Sequence, residues 1–170
     1  SIVKIKKSLD LAILNIHDKI KLGGKIMLCG NGGSAADAQH LAAEFLVKLK
    51  KTGDRKPIPA ITLAQDTSTL TACGNDYNFD KHFVRCLEGL GKTNDVLIVI
   101  STSGNSKNIL NVLRMSKKMR IYSIGFLGNR GGKAKKLCDL PLIVSGNSTA
   151  RVQEAHIFLG HYIFESVEHK

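Results

Sequence analysis

The sequence predicts an α/β domain with a parallel five-stranded sheet and helices on both faces, a three-layer α-β-α arrangement. Three observations predict it. Short apolar runs rich in β-branched residues alternate with segments of helical period along the chain. Those runs are nearly continuous in apolar residues, the signature of strands buried on both faces. The 170 residues, 43% hydrophobic but only 5% aromatic, are enough for one Ile, Leu, Val and Ala core without disulfide or metal staples. Residues 1–170 are therefore read as a single domain.

The opening SIVKIKKSLD has the spacing of an amphipathic helix and lacks the apolar stretch of a signal peptide. The first residue is Ser, so an upstream stretch is expected. Strand-like runs follow at 25–29 (KIMLC), 58–63 (IPAITL), 95–101 (DVLIVIS), 121–126 (IYSIGF) and 140–144 (LPLIV). Pro59 removes a ladder donor, which places its strand at an edge or starts the strand there. Helical periods occupy 35–49, 79–90, 106–119, 132–137 and 149–167, and Ser106 is a natural N-cap. The polar stretch 65–71 and the pair Asn75-Asp76 read as loop, where Asn and Asp are common.

Composition narrows the function. The 25 Lys and Arg outweigh 14 Asp and Glu, giving a formal charge of +11. The cations gather at Lys4, Lys6 and Lys7, at 48–56, at Lys117, Lys118 and Arg120, and at 130–136. Such a field attracts an anionic ligand. Without interleaved aromatics or a nucleic-acid motif it reads as solvated helix and loop faces, and nucleic acid is not the expected partner. No apolar run approaches the roughly 20 residues needed to cross a bilayer, so a cytoplasmic protein without a membrane partner is expected. Cys29, Cys73, Cys86 and Cys138 are far apart, form no CxxC, and read as inert thiols.

Two turns carry chemistry. Gly30-Asn31-Gly32-Gly33-Ser34 follows the first strand and opens an Ala-rich helix, so backbone N–H groups and a hydroxyl meet at a helix N-terminus. That suits an anion or a polyhydroxyl chain. The turn has neither the GK[ST] of a Walker A loop nor GxGxxG spacing. Ser101-Thr102-Ser103-Gly104-Asn105-Ser106 ends the central strand, and four hydroxyls there can hold one phosphate.

Two helices add polar ligands. His40 and Glu44, four apart, share one helical face. Gln153 and His161, eight apart, also share a face, though the period does not choose between His161 and His156. Imidazole, carboxylate and amide donors suit a divalent metal such as zinc. His17, His82, His156 and His169 read as surface or core histidines.

The stretches GNGGSAADAQHLAAEF, TACGNDYNFD, VISTSGNSKNI and STARVQEAHIFLGHYIFE, in that order, resemble the SIS (sugar isomerase) family and, within it, the bacterial phosphoheptose isomerases. The resemblance covers nearly the whole chain. It implies a flavodoxin-like SIS domain and a ketose-aldose isomerase that converts sedoheptulose 7-phosphate to D-glycero-D-manno-heptose 7-phosphate for surface polysaccharide. Glu44 and His161 are then the general acid/base pair. One Zn²⁺ per subunit is held by His40, Glu44, Gln153 and His161. The sugar phosphate is bound by Asn31, Gly32, Gly33, Ser34, Glu44, Asn75, Asp76, Ser101, Thr102, Ser103, Ser106 and Gln153. A homotetramer with sites between subunits is implied as well. Lys48 stands where relatives carry arginine, keeping the charge but not the two-pronged geometry. Two alternatives share the framework. One is a non-catalytic SIS protein, such as a sugar-phosphate sensor or a factor that binds the replication initiator. The other is an SIS isomerase acting on arabinose 5-phosphate or a hexose phosphate. A pure binder has no chemical reason to keep His40, Glu44, Gln153 and His161 together.

Overall fold

Helix α1 (Ile2–Lys21) precedes strand β1 (Ile26–Gly30), which runs into α2 (Gly33–Leu46) and the short strand β2 (Ala60–Thr62). Next come α3 (Thr67–Asp76), a 3-10 turn (Phe79–Lys81), α4 (His82–Leu90), β3 (Val96–Ser101) and α5 (Lys107–Lys118). The chain ends with β4 (Tyr122–Gly128), a second 3-10 turn (Ala134–Lys136), β5 (Leu140–Val144) and α6 (Thr149–Glu168). This computed structural model describes residues 2–49, 55–64, 66–146 and 148–168, excepting the side chains of 2–4. The central part of the 48–56 cationic stretch, Gln65 and His169 lie outside the described residues, as does the side chain of Lys4.

The five strands pair in parallel in the order β2-β1-β3-β4-β5. The predicted sheet is therefore present, and the strand at Pro59 meets both expectations: β2 lies at an edge and begins just after the proline. Burial explains the near-continuous apolar runs, because every residue of β1 and β3 is buried. Successive side chains alternate between faces. Ile26, Leu28, Val96, Ile98 and Ile100 join a core with Phe45 of α2 and Phe164 of α6. Met27, Cys29, Leu97 and Val99 join the other core with Phe83 and Leu87 of α4 and Val112 and Leu113 of α5. Among the described residues no helix is long and apolar enough to cross a membrane.

β1 lies between β2 and β3, and the chain turns outward in opposite directions from that point. In open parallel sheets the crevice at such a switch, beyond the carboxyl ends of the strands, is where ligands bind. Gly30 pairs with Ile100. The Gly30–Ser34 and Ser101–Ser106 turns thus leave the sheet side by side. At the opposite strand ends, Asp95 closes the framework by accepting from the Lys25 and Lys92 N–H groups (2.9 and 2.7 Å) and from Lys25 Nζ (2.6 Å).

Three expectations need correction. The 65–76 stretch is largely helix: α3 is N-capped by Asp66, whose Oδ1 accepts from the Thr69 N–H at 2.6 Å, and Asn75 and Asp76 are its last two residues. It was unreadable by period because it buries only Cys73, leaving no apolar stripe. The 132–137 segment is a single 3-10 turn, pinned where the Ala134 N–H donates to Gly104 O at 2.9 Å. The first predicted turn of 79–90 is likewise 3-10, a common tightening at helix starts. Helix α2 stops at Leu46, leaving Lys48 exposed beyond its end.

His156 is fully buried on α6 beside Phe126, ring centroids 6.3 Å apart. Among the described residues neither ring nitrogen makes a hydrogen bond of good geometry, and burial, opposed only by the nearby Leu127 backbone, pushes its pKa down to about 4. The fold thus favours the neutral ring. Its contribution is complete above the ordinary histidine range near 6.5 and is lost as pH falls toward 4, on the order of 3 kcal/mol. Thermal melts between pH 7 and 4 are expected to show this loss, and His156→Leu is expected to flatten that acid limb.

Candidate active site

Helix α2 has no acidic side chain in its first turn, which leaves the positive end of its dipole for an anion; the nearest carboxyl on the helix is that of Asp37, just beyond that turn. Ser34 is buried there, while Gly32 and Gly33 are exposed. The Asn31 carboxamide is committed internally: Asn31 and Asn108 exchange two hydrogen bonds of 3.0 and 2.8 Å. This pair ties the glycine turn to α5, immediately after the serine turn. What Asn31 offers a ligand is therefore its backbone.

The serine turn is folded on itself and on the 131–134 segment. Buried Ser101 accepts from the Gly104 N–H (3.0 Å), and Ser103 Oγ accepts from the Asn105 N–H (3.2 Å). Asn105 Oδ1 accepts from the Lys133 N–H at 3.0 Å. Ser106 occupies the expected N-cap of α5, but its side chain makes no capping bond. Its hydroxyl stays available, together with those of the half-buried Thr102 and the exposed Ser103.

Helices α2 and α6 pack together, with Phe45 on Phe164 (ring centroids 3.6 Å). Their polar faces meet. His40 Nε2 lies 2.9 Å from His161 Nε2, with the rings edge-on at 74°. Glu44 Oε1 is 3.4 Å from His40 Nε2. Among the described residues, ligand atoms of His40, Glu44 and His161 all lie within 4.8 Å of one another. Two imidazole nitrogens this close share a proton or a cation, and with the carboxylate beside them they could hold a metal ion. The His40 side chain is 48% exposed and that of Glu44 19%, so the cluster opens to solvent. Of the two histidines that share the Gln153 spacing, His161 faces His40 and His156 lies in the core.

Gln153 reaches the same neighbourhood by another route. Its Nε2 donates to Asp37 Oδ1 at 3.3 Å, and its amide lies against Gly33, where a Cβ would come within 2.5 Å of Oε1. Asp37 is buried with Oδ2 unpartnered. Burial pushes its carboxyl up, opposed by the Gln153 hydrogen bond and by the charges of His40 and His161. Gln153 thus ties Asp37 to the Gly33 turn, Asn31 ties that turn to Asn108, and Asp37 feels the charges of His40 and His161. Asn75 and Asp76 stand apart. Asn75 Nδ2 donates to Asp76 Oδ1 at 2.8 Å at the exposed end of α3, and neither bonds to another candidate residue among those described.

Asp37 and Asn108 were missed in the sequence. Asp37 sits three residues before His40, a lone charge in an otherwise Ala-rich helical stripe, and that was a usable signal. Asn108 lies on the apolar side of α5, and nothing in the sequence distinguishes it from a capping-turn residue.

Comparison with known proteins gives a consistent assignment. The profile of the SIS domain family matches residues 2–128. The phosphoheptose isomerase of Campylobacter concisus is 49% identical over 166 residues, 98% of this chain and 87% of its own length. That of Clostridium acetobutylicum is 55% identical over 148 residues, 87% of this chain and 74% of its own. The structure of the phosphoheptose isomerase from Neisseria gonorrhoeae superposes with a TM-score of 0.90 at 38% identity, covering 98% of this chain and 88% of that one.

Proposed function

Because the chain belongs to the SIS domain family, alongside the phosphoheptose isomerases, we propose that it interconverts sedoheptulose 7-phosphate and D-glycero-D-manno-heptose 7-phosphate. The observation that carries the reading is the convergence of His40, Glu44 and His161 from two helices.

Ketose-to-aldose isomerisation removes a proton from C1, returns one to C2, and moves a hydroxyl proton between the adjacent oxygens through an enediolate. Glu44 and His161 are the acid/base pair. Their two groups lie close enough to serve neighbouring carbons, and His161 contacts His40 while Glu44 shares its helix. The hydroxyls of Ser101, Thr102, Ser103 and Ser106 and the N–H groups of their turn take the phosphate. Asn31, Gly32, Gly33 and Ser34, with Glu44 and Gln153, hold the polyol chain; Asn75 and Asp76, which stand apart within this chain, are assigned to it by the family resemblance alone. His40, Glu44, Gln153 and His161 would hold one Zn²⁺ per subunit, which when bound supplies Lewis acidity at the carbonyl oxygen. Three of the donors fit by geometry, since two imidazole nitrogens face each other and a carboxylate lies beside them; Gln153, tied through Nε2 to Asp37, is the fourth by family resemblance.

Leu11 and Leu14 on α1 and Phe158 and Tyr162 on α6 are exposed apolar residues. They support a homotetramer in which neighbouring subunits complete the solvent-open site. Residues 1–170 form one SIS domain of a cytoplasmic enzyme. Its product leads to nucleotide-activated heptose for lipopolysaccharide or capsule.

Turnover of sedoheptulose 7-phosphate, arabinose 5-phosphate and fructose 6-phosphate side by side tests the reading. Preference for the heptulose supports it. Preference for another sugar reassigns the substrate, and inactivity on all three by the folded, zinc-loaded chain points to a binding protein.

Gly33→Ala gives a narrower test. The new Cβ would strike the Gln153 amide, the movable end of a side chain, so stability should change by less than about 1 kcal/mol. Zinc affinity is expected to fall about tenfold or more in a chelator competition. Unchanged affinity would remove Gln153 from the ligand set.

A further inference from the structure

Helix α2 has no basic residue in its last turn, although the free carbonyls of a helix C-terminus favour a cation. The cation comes from outside the helix. Arg55 donates through Nη2 to the Glu44 carbonyl (2.8 Å) and through Nη1 to the Phe45 carbonyl (2.9 Å). Its Nε donates to Glu168 Oε1 at 2.7 Å, and Nη2 lies 2.5 Å from the same oxygen. That oxygen also accepts from the Leu49 N–H at 3.1 Å. Glu168 is the last residue of α6, and its side chain is 8% exposed. One guanidinium therefore joins the C-terminal ends of α2 and α6. The first helix carries His40 and Glu44, the second Gln153 and His161.

We propose that Arg55, itself held by Glu168, is a positioning residue: it fixes the last turn of α2 against α6 and thereby aims Glu44 at the ring of His161. The proposal rests on the acid/base and zinc reading of those side chains. Capping these carbonyls stabilises the helix end, and because one of them belongs to Glu44 itself, the same bonds fix the backbone from which that side chain projects. Reacting and ligating groups, by contrast, need placement within about 0.5 Å, and the planar fork of arginine supplies several fixed bonds at once where lysine offers a single point charge.

The Lys25–Asp95 pair is the control, since it is also short (2.6 Å), its Asp95 side chain is 2% exposed, and it sits at the opposite ends of the strands. Full-length wild type, Arg55→Ala, Arg55→Lys, Glu168→Gln and Lys25→Met would be titrated with zinc against a chromophoric chelator, at a temperature where all are folded. Amide hydrogen exchange over residues 43–47 would be measured on the same samples. Zinc affinity is expected to fall about tenfold or more in Arg55→Ala, with lysine restoring little of it and Glu168→Gln lying between. Exchange at 43–47 should quicken in parallel, while Lys25→Met lowers Tm and leaves affinity and local exchange unchanged. If the Arg55 variants lose Tm but keep zinc affinity and protection at 43–47, the proposal is wrong and the pair is only a staple. Should Arg55→Ala not fold, Glu168→Gln and Arg55→Lys decide the same question. Should wild type bind no zinc, the zinc reading fails by itself; local exchange then decides the clamp, faster exchange in the Arg55 variants supporting it and unchanged exchange refuting it.

Discussion

Glu44→Gln is expected to lower kcat by a hundredfold to ten-thousandfold, the range over which a positioned acid or base acts, and His161→Ala to do the same. Glutamine keeps the size of Glu44 and an oxygen donor, but it cannot take a proton. Both positions are polar and partly open to solvent, so neither change should cost much stability. The double variant should be little worse than either single one, because groups that act as a unit are not additive. A Glu44→Gln enzyme within tenfold of wild type would assign proton transfer to other residues.

Gly104→Ala is the second large effect, and it acts through the backbone. Gly104 has φ +62°, and a Cβ there would lie 2.2 Å from the Gly131 carbonyl oxygen. A left-handed conformation costs a non-glycine residue on the order of 1–3 kcal/mol. Overlap with a fixed carbonyl adds a similar amount unless the turn moves. Movement of the turn would shift the Ser101 and Ser103 hydroxyls and break the Ala134 N–H bond to Gly104 O. We expect a lower Tm together with KM for the sugar phosphate raised at least about tenfold, and a smaller change in kcat. A variant with normal KM would separate this turn from phosphate binding.

The sheet was legible because β1, β3 and β4 are buried on both faces, so their apolar runs carry the pattern without ambiguity. Pro59 marked β2 as either an edge strand or one beginning there, and the sheet order supplies the edge. Helix α3 was not, since Thr, Ser, Gly and Asn with a single buried Cys73 leave no period to detect, and only the Asp66 cap marks it. In the site, the four-residue spacing of His40 and Glu44 was enough to place them together, as a helix fixes that geometry. The choice of His161 over His156 was not available from spacing. Both fit α6, and only the packing of Phe126 against one and His40 against the other separates them. Arg55 was invisible for a plainer reason: it lies outside regular structure, and its partners are three backbone carbonyls and a carboxylate 113 residues away.

The most direct measurement is an NMR time course of sedoheptulose 7-phosphate with the zinc-loaded chain, following the anomeric signals of an aldose heptose 7-phosphate. The account predicts that those signals grow to an equilibrium mixture with wild type and grow at least about a hundredfold more slowly with Glu44→Gln. Folded, zinc-loaded wild type that leaves the ketose unchanged would contradict it.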